Sequence, residues 1–150
     1  MTASLNHRYF TLFLSRDFEA CRDVARQAAK DAPSSAYRER MAVEVLHSLA
    51  VRRFGEAPSL AEIDAFLAAP RESTIAVPIP MVDREAVLRA VLGERVVVRG
   101  MPRTAMMGAT MILIVHLNED LRLSGRALDT LVGKAERYCL DSASGAEHRI

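Results

Sequence analysis

A mainly α-helical, single-domain bundle of about six helices is the fold class that the sequence predicts. Apolar residues recur every three or four positions over 36–54, Ser59 and Glu62 have the spacing of a capping box, and an unbroken apolar run extends from Ala105 to Val115. The first two patterns are typical of amphipathic helices, and the third is typical of a helix buried on most sides. The central buried helix is therefore expected at Ala105–Val115.

Length and composition predict one globular domain over residues 1–150, with a polar tail at 141–150. The chain has 150 residues, of which 50% are hydrophobic and 26% are charged, so it can bury a sizeable core. The net charge of +1 argues against a general attraction to nucleic acid or anionic lipid. Cys21 and Cys139 lie far apart in helical apolar stripes, so we expect inert core thiols rather than a disulfide.

The first half of the chain predicts three helices. The aromatic-rich segment 1–14 favours a short helix over an edge strand. Ser15 is then predicted as the N-cap of a helix that runs to Asp31 and is ended by Pro33. A third helix is predicted over Ala36–Phe54, with Gly55 as its C-cap. The stripe predicted to be buried in the second helix contains Phe18, Cys21, Ala25, Ala28 and Ala32.

The second half predicts four helices. The capping box begins a helix that Pro70 closes, and Asp83 is predicted to cap a helix to Leu92 with Gly93 as its stop. Pro102 is predicted to begin the helix that contains the apolar run. The last helix is predicted from Gly125 to about Leu140, with an apolar stripe of Leu128, Leu131, Val132, Ala135 and Tyr138.

A short two-stranded β element is the open alternative within this helical scheme. Ile75, Val77 and Ile79 alternate with smaller or polar residues, and three consecutive valines lie between Gly93 and Gly100. Both patterns favour strands, so residues 74–79 could pair with 94–99. A helical continuation through 94–99 is the competing interpretation.

The sequence favours a protein that does not enter a membrane. The run from Ala105 to Val115 is too short, because a helix that crosses a bilayer needs about 20 apolar residues. Polar residues at Asn6, His7 and Arg8 interrupt any secretory signal core near the N-terminus. We therefore expect a cytoplasmic protein with no membrane partner.

His116, Glu119 and Asp120 form the sharpest candidate for a ligand or metal site. Spacings of three and four residues place them on one helical face, where imidazole and carboxylate groups could contribute to a metal centre. Metal centres in helical bundles usually draw ligands from two or more helices, and no paired signal is found elsewhere. The simpler interpretation is that the buried helix ends near Leu117 and its polar residues meet solvent.

Two further function classes are weighed from the sequence. No glycine-rich phosphate loop, nucleophile elbow or Cys-x-x-Cys pair is present, so we expect no cofactor, and an enzyme would need a site assembled by the fold near His116. A DNA-binding regulator would use a basic face, for which the candidate residues are Arg84, Arg89, Arg95, Arg99 and Arg103. Acidic residues dilute this series, so nucleic acid is not the expected partner.

The favoured function is a helical protein-interaction or regulatory module that forms a homodimer. The chain has few aromatic residues, and many of them lie in its N-terminal segment. If this segment is helical, apolar side chains lie around nearly its whole circumference. One contact with the core of its own subunit would leave part of this surface exposed. Either the segment is fully enclosed within its own subunit or it packs against a second copy, and we favour the second copy. The residues predicted for self-association are Tyr9, Phe10, Leu12, Phe13 and Leu14.

Overall fold

The computed structural model describes residues 4–71, 78–94 and 98–141. Within these ranges the chain forms seven α-helices and no strand: α1 (Leu5–Leu14), α2 (Phe18–Lys30), α3 (Ala32–Phe54), α4 (Leu60–Ala68), α5 (Met81–Val91), α6 (Arg103–Leu121) and α7 (Gly125–Asp141). The predicted mainly α-helical bundle of about six helices is confirmed, and each of the seven segments that the sequence assigns to a helix contains one. The predicted pairing of residues 74–79 with 94–99 falls largely outside the described residues, as does the tail after Asp141.

The helices form two compact units. Unit 1 contains the described residues up to Val45 together with those from Arg122 onward, and unit 2 contains Leu46–Leu121. In unit 1, α1 packs against both α2 and α7; in unit 2, α5 packs against α6 and α4. The single domain over residues 1–150 stays a prediction.

The boundary between α1 and α2 differs from the prediction. Ser15 ends α1, and the N-cap of α2 is Asp17, whose carboxylate accepts a hydrogen bond of 3.2 Å from the Ala20 amide. Between them Arg16 adopts a left-handed backbone with φ of 63°. Because of this turn, α2 begins two residues later than predicted, and Ser15 cannot be its cap.

Helix α3 begins at Ala32, four residues before its predicted start. Pro33 therefore lies in the first turn of α3 rather than ending α2, a position where a helix needs no amide donor. At the other end the prediction is confirmed, because Gly55 has φ of 80° and its amide donates to the Val51 carbonyl at 2.7 Å. The left-handed conformation at this position is the one that glycine adopts without steric cost.

The capping box of α4 is confirmed in both directions. The Ser59 hydroxyl accepts from the Glu62 amide at 3.2 Å, and the Glu62 carboxylate accepts from the Ser59 amide at 2.8 Å. The cap predicted for α5 is wrong, since this helix follows Pro80 without a side-chain cap and Asp83 lies in its first turn. The acidic side chain still complements the positive end of the helix dipole.

The longest buried segment belongs to α6, but it is displaced from the predicted one. The residues from Ala105 to Gly108 and Met111 are partly exposed, and the buried positions are Ala109, Thr110 and Ile112 to Asn118. The helix continues to Leu121, so its predicted end near Leu117 is wrong. Of the helices in the described parts of the chain, none combines the length and apolarity that crossing a bilayer requires.

Polar contacts fix α1 against α7 within unit 1. The imidazole Nε2 of His7 lies 2.6 Å from Oδ1 of Asp129, and the Ser4 hydroxyl donates a hydrogen bond to the Glu136 carboxylate. Helix α7 closely follows the prediction, because Leu128, Leu131, Val132, Ala135 and Cys139 form its buried stripe, with Cys139 in place of Tyr138. The two helices thus meet through apolar side chains with a polar edge.

Replacement of Gly133 by alanine is expected to stabilise the protein by about 0.5–1 kcal/mol, because a helix-interior glycine carries an entropic cost. A Cβ at this position would meet the His7 ring at 3.6 Å, an ordinary contact distance. Gly125 is the matched control, since its φ of 56° makes alanine strained there. Urea unfolding should therefore show opposite signs for the two substitutions, and a destabilising Gly133→Ala would contradict this description of the α1 and α7 contact.

Candidate functional site

Asp120, at the end of α6, is held between two arginines. The Nε of Arg53 donates to Oδ2 of Asp120 at 3.1 Å, and Nη1 of Arg71 donates to Oδ1. Burial by itself raises the pKa of this carboxyl, but the hydrogen bonds from Arg71 and Arg53 outweigh it, so the pKa lies below its ordinary value. Asp120 is therefore an ion-paired carboxylate at the end of α6 that contacts Arg53 near the end of α3 and Arg71, three residues beyond α4.

Arg71 is fixed on three sides. Its side chain is only 11% exposed, its guanidinium lies 4.4 Å from the centroid of the Phe66 ring, and its Nη2 donates to the Phe66 carbonyl at 2.7 Å. Phe66 in turn makes an edge contact with Phe54, with ring centroids 5.3 Å apart. The position of this guanidinium is thus set by aromatic packing as well as by Asp120.

His116 lies on the same part of α6 and is 7% exposed. Burial lowers the pKa of His116 below its ordinary value; Glu119 opposes that effect, whereas Arg71 and Arg84 add to it. His116 is therefore a neutral imidazole near pH 7, surrounded by charged groups. Its charged neighbours are two arginines from other segments and the acidic residues Glu119 and Asp120 of its own helix.

The metal interpretation of His116, Glu119 and Asp120 gains no support from this geometry. Among the described residues, which include these three, no group of three histidine, cysteine or acidic side chains could hold a metal ion. The carboxylate of Asp120 is already occupied by guanidinium donors. Arg53, Arg71 and Arg84 were not part of the predicted site, and nothing local in the sequence associates positions so far apart in the chain.

The arginines considered for DNA binding have unlike environments. Arg89 pairs with Glu94, with Nε to Oε2 at 3.0 Å, and with Glu85 at 3.6 Å. Arg84 is partly buried, whereas Arg99 and Arg103 are exposed; Arg95 lies outside the described residues. Arg89 is therefore neutralised by acidic side chains and Arg84 is half-buried, and DNA binding stays a prediction without a supporting contact.

The residues predicted for self-association divide into a buried and a partly exposed set. Phe10 is fully buried and Leu14 nearly so, which makes them core residues of unit 1. Tyr9, Leu12 and Phe13 remain partly exposed. The N-terminal segment is therefore neither wholly enclosed nor wholly presented to solvent.

An aromatic surface extends from α1 to the start of α2. We define it by Tyr9, Phe13 and Phe18: the rings of Tyr9 and Phe13 are stacked with centroids 6.0 Å apart, and Phe13 meets Phe18 at 5.7 Å. Phe18 was predicted to be buried, but 48% of it is exposed. Because Asp17 is the cap, Phe18 is the first residue of α2, and it lies at the helix end rather than within the apolar stripe, where Val24 is buried instead.

The two cysteines are buried, as predicted, and neither forms a disulfide. Burial, with Asp17 adding to it, raises the pKa of the Cys21 thiol to about 11, so it is not a nucleophile at neutral pH. Cys139 lines a small cleft of about 210 Å³ in unit 1, together with Ser4, Asn6, Tyr37, Met41, Glu136 and Leu140. This volume is below the range of about 300–1,000 Å³ that is usual for small-molecule sites.

Comparison of the chain with protein-family models, with curated proteins and with solved structures finds no match. The functional assignment therefore rests on the chemistry of the surfaces and clusters described above.

Proposed function

We propose that this chain is a helical protein-interaction module that self-associates through the aromatic surface of Tyr9, Phe13 and Phe18. The observation that carries the proposal is the exposure of Phe18, 48% of which meets solvent beside two further partly exposed rings. Exposed aromatic clusters are typical of interface cores, because such side chains bury much apolar area at little cost in conformational entropy. If Phe18 served only to begin α2, it would not need to lie in a cluster with two other aromatic rings.

The charges around the aromatic surface favour a second copy as the partner. Arg16, Asp17, Glu19 and Arg22 are exposed next to Phe18 in the sequence, two of each sign. A two-fold interface places the same patch on both subunits, so a patch with balanced charges can face itself without net repulsion. A strongly basic or acidic rim would instead favour a partner of opposite charge.

The proposed setting is the cytoplasm. Both cysteines are buried thiols outside any disulfide. Disulfides form and persist mainly in oxidising compartments, so two cysteines that form none fit a reducing compartment. This supports a cytoplasmic location. Labelling of the protein in its native cell would test the proposed location directly.

The test of self-association uses Phe18→Glu, with Leu60→Glu as its matched control. Phe18 and Leu60 are both the first residue of a helix behind a side-chain N-cap, and they are 48% and 53% exposed. An acidic residue is favourable at either helix start, so neither substitution should disturb folding. Deletion of the N-terminal segment would be a poor test, because it would remove Phe10 and Leu14 from the core.

Light scattering at tens of micromolar protein is expected to give a dimer for the unmodified chain and for Leu60→Glu, and a monomer for Phe18→Glu. If Phe18→Glu raises the dissociation constant of the dimer by about 100-fold, Phe18 is a hot-spot residue that contributes roughly 2–3 kcal/mol to dimerisation. The proposal fails if the unmodified chain is monomeric under these conditions, or if Phe18→Glu and Leu60→Glu have the same molar mass.

A further inference from the structure

Unit 2 contains two arginines whose polar groups are not all satisfied. The Nε atoms of Arg71 and Arg84 are both buried and have no hydrogen-bond partner. Buried donors in native proteins are almost always paired, and an unpaired cationic donor is the more costly case. Two such atoms in one unit indicate that a partner of the opposite polarity belongs with them.

The two arginines are not independent features, because both lie close enough to His116 to act on it electrostatically. They reach this histidine from different elements: Arg71 follows α4, Arg84 lies in the first half of α5, and His116 belongs to α6. Three segments distant in sequence therefore converge on one buried imidazole. Such convergence of donors is the usual construction of a binding site.

The charged side chains near His116 indicate whether the missing partner is an anion or a cation. Asp120 accepts hydrogen bonds from both Arg53 and Arg71, so its charge is shared between two cations. In the described part of the chain, Arg84 makes no ion pair, unlike Arg89 one turn further along α5, which pairs with Glu85 and Glu94. Around His116 and Asp120 the described residues place three guanidinium groups beside two carboxylates, which favours an anion over a cation. The guanidinium groups are those of Arg53, Arg71 and Arg84, and the carboxylates are those of Glu119 and Asp120.

We propose that unit 2 binds a small oxyanion, a phosphate or carboxylate group, at the guanidinium groups of Arg71 and Arg84 beside His116. Guanidinium groups present planar arrays of donors that match these anions. Arg71 is held in place by Phe66 and Asp120, so part of the site exists before the ligand arrives. The neutral imidazole of His116 can add one further N–H donor. This site shares no residue with the aromatic surface, and the proposal does not depend on the proposed dimer.

Thermal unfolding and calorimetric titration test this site with inorganic phosphate and with acetate, each against sodium chloride at equal ionic strength. The variant is Arg84→Gln, and the control is Arg89→Gln on the same helix. Phosphate, acetate or both should raise the Tm of the unmodified chain and of Arg89→Gln, whereas Arg84→Gln should lose the shift and bind at least about tenfold more weakly. The anion that binds more tightly identifies the class of ligand.

Folding of the variant does not limit this test. Because Arg84 has no ion pair among the described residues, Arg84→Gln should be at least as stable as the unmodified chain in chloride. Arg84→Lys is a second variant, which keeps the charge but not the planar donor array, and its binding should also weaken. The proposal is overturned if neither anion exceeds chloride in the unmodified chain, or if Arg84→Gln responds as the unmodified chain does.

The imidazole signals of His116 give a second readout. An anion bound beside Arg71 and Arg84 would offset the effect of these cations, so the pKa of His116 should rise when the site is occupied, with Glu119 and Asp120 unchanged as the acidic neighbours. The rise should be absent in Arg84→Gln and present in the monomeric Phe18→Glu protein. Loss of dimerisation and loss of anion binding are therefore distinguishable.

Discussion

Ala109→Arg is expected to abolish the folded state of unit 2. Ala109 is fully buried in α6, at the start of the continuous buried part of that helix. A guanidinium placed there would be both too large for the site and without an acidic partner. An uncompensated buried charge costs several kcal/mol, on the order of the whole stability of about 5–15 kcal/mol for a domain.

Ala29→Arg is the matched control for this substitution. Ala29 is exposed near the end of α2, where a basic side chain is favourable to the helix dipole. Circular dichroism and urea unfolding should show a near-native transition for Ala29→Arg and no cooperative transition for Ala109→Arg at room temperature. A well-folded Ala109→Arg with an unchanged Tm would show that α6 is not buried at this position.

Features determined within one helical turn could be predicted from the sequence. The capping box of Ser59 and Glu62 and the C-cap at Gly55 depend on residues three or four positions apart, and the structure contains both. The buried stripe of α7 could also be predicted from the sequence, because helical periodicity alone places its apolar residues on one face. These predictions required no knowledge of what the helix packs against.

Features that depend on tertiary neighbours could not be predicted in this way. Ser15 and Asp17 are both good N-caps, and the choice between them is made by the left-handed turn at Arg16. That choice moves Phe18 to the helix end, where it joins the aromatic surface instead of the core. A shift of two residues at one cap thus changes the interpretation of a large apolar side chain.

The candidate site illustrates the same limit. His116, Glu119 and Asp120 were grouped correctly on one part of α6, since their spacing is local. The groups that decide their chemistry come from α3, from Arg71 in the segment after α4 and from α5. Because these groups are arginines, two of which pair with Asp120, they support the proposed anion site rather than a metal centre.

Asp120→Asn is expected to destabilise the protein by about 1–3 kcal/mol at neutral pH, because it leaves Arg71, only 11% exposed, without its carboxylate. The effect should disappear in acid. The folded-state pKa of Asp120 is lowered, so its contribution is fully present above the ordinary carboxyl pKa of about 4 and is lost as the pH falls through the folded-state value.

Urea unfolding from pH 7 down to pH 2 measures this contribution. The free energies of unfolding of the unmodified chain and of Asp120→Asn should differ most at pH 7 and converge below pH 4, as Asp120 becomes protonated in both the folded and the unfolded chain. Asp23→Asn is the control, because Asp23 and Arg26 form an exposed pair whose loss should change stability by less than about 0.5 kcal/mol at any pH. If Asp120→Asn behaves like Asp23→Asn, or if its deficit persists unchanged at pH 2, the ion pairs of Asp120 with Arg53 and Arg71 do not stabilise unit 2, since a carboxylate that matters to the fold must lose its contribution when it takes up a proton.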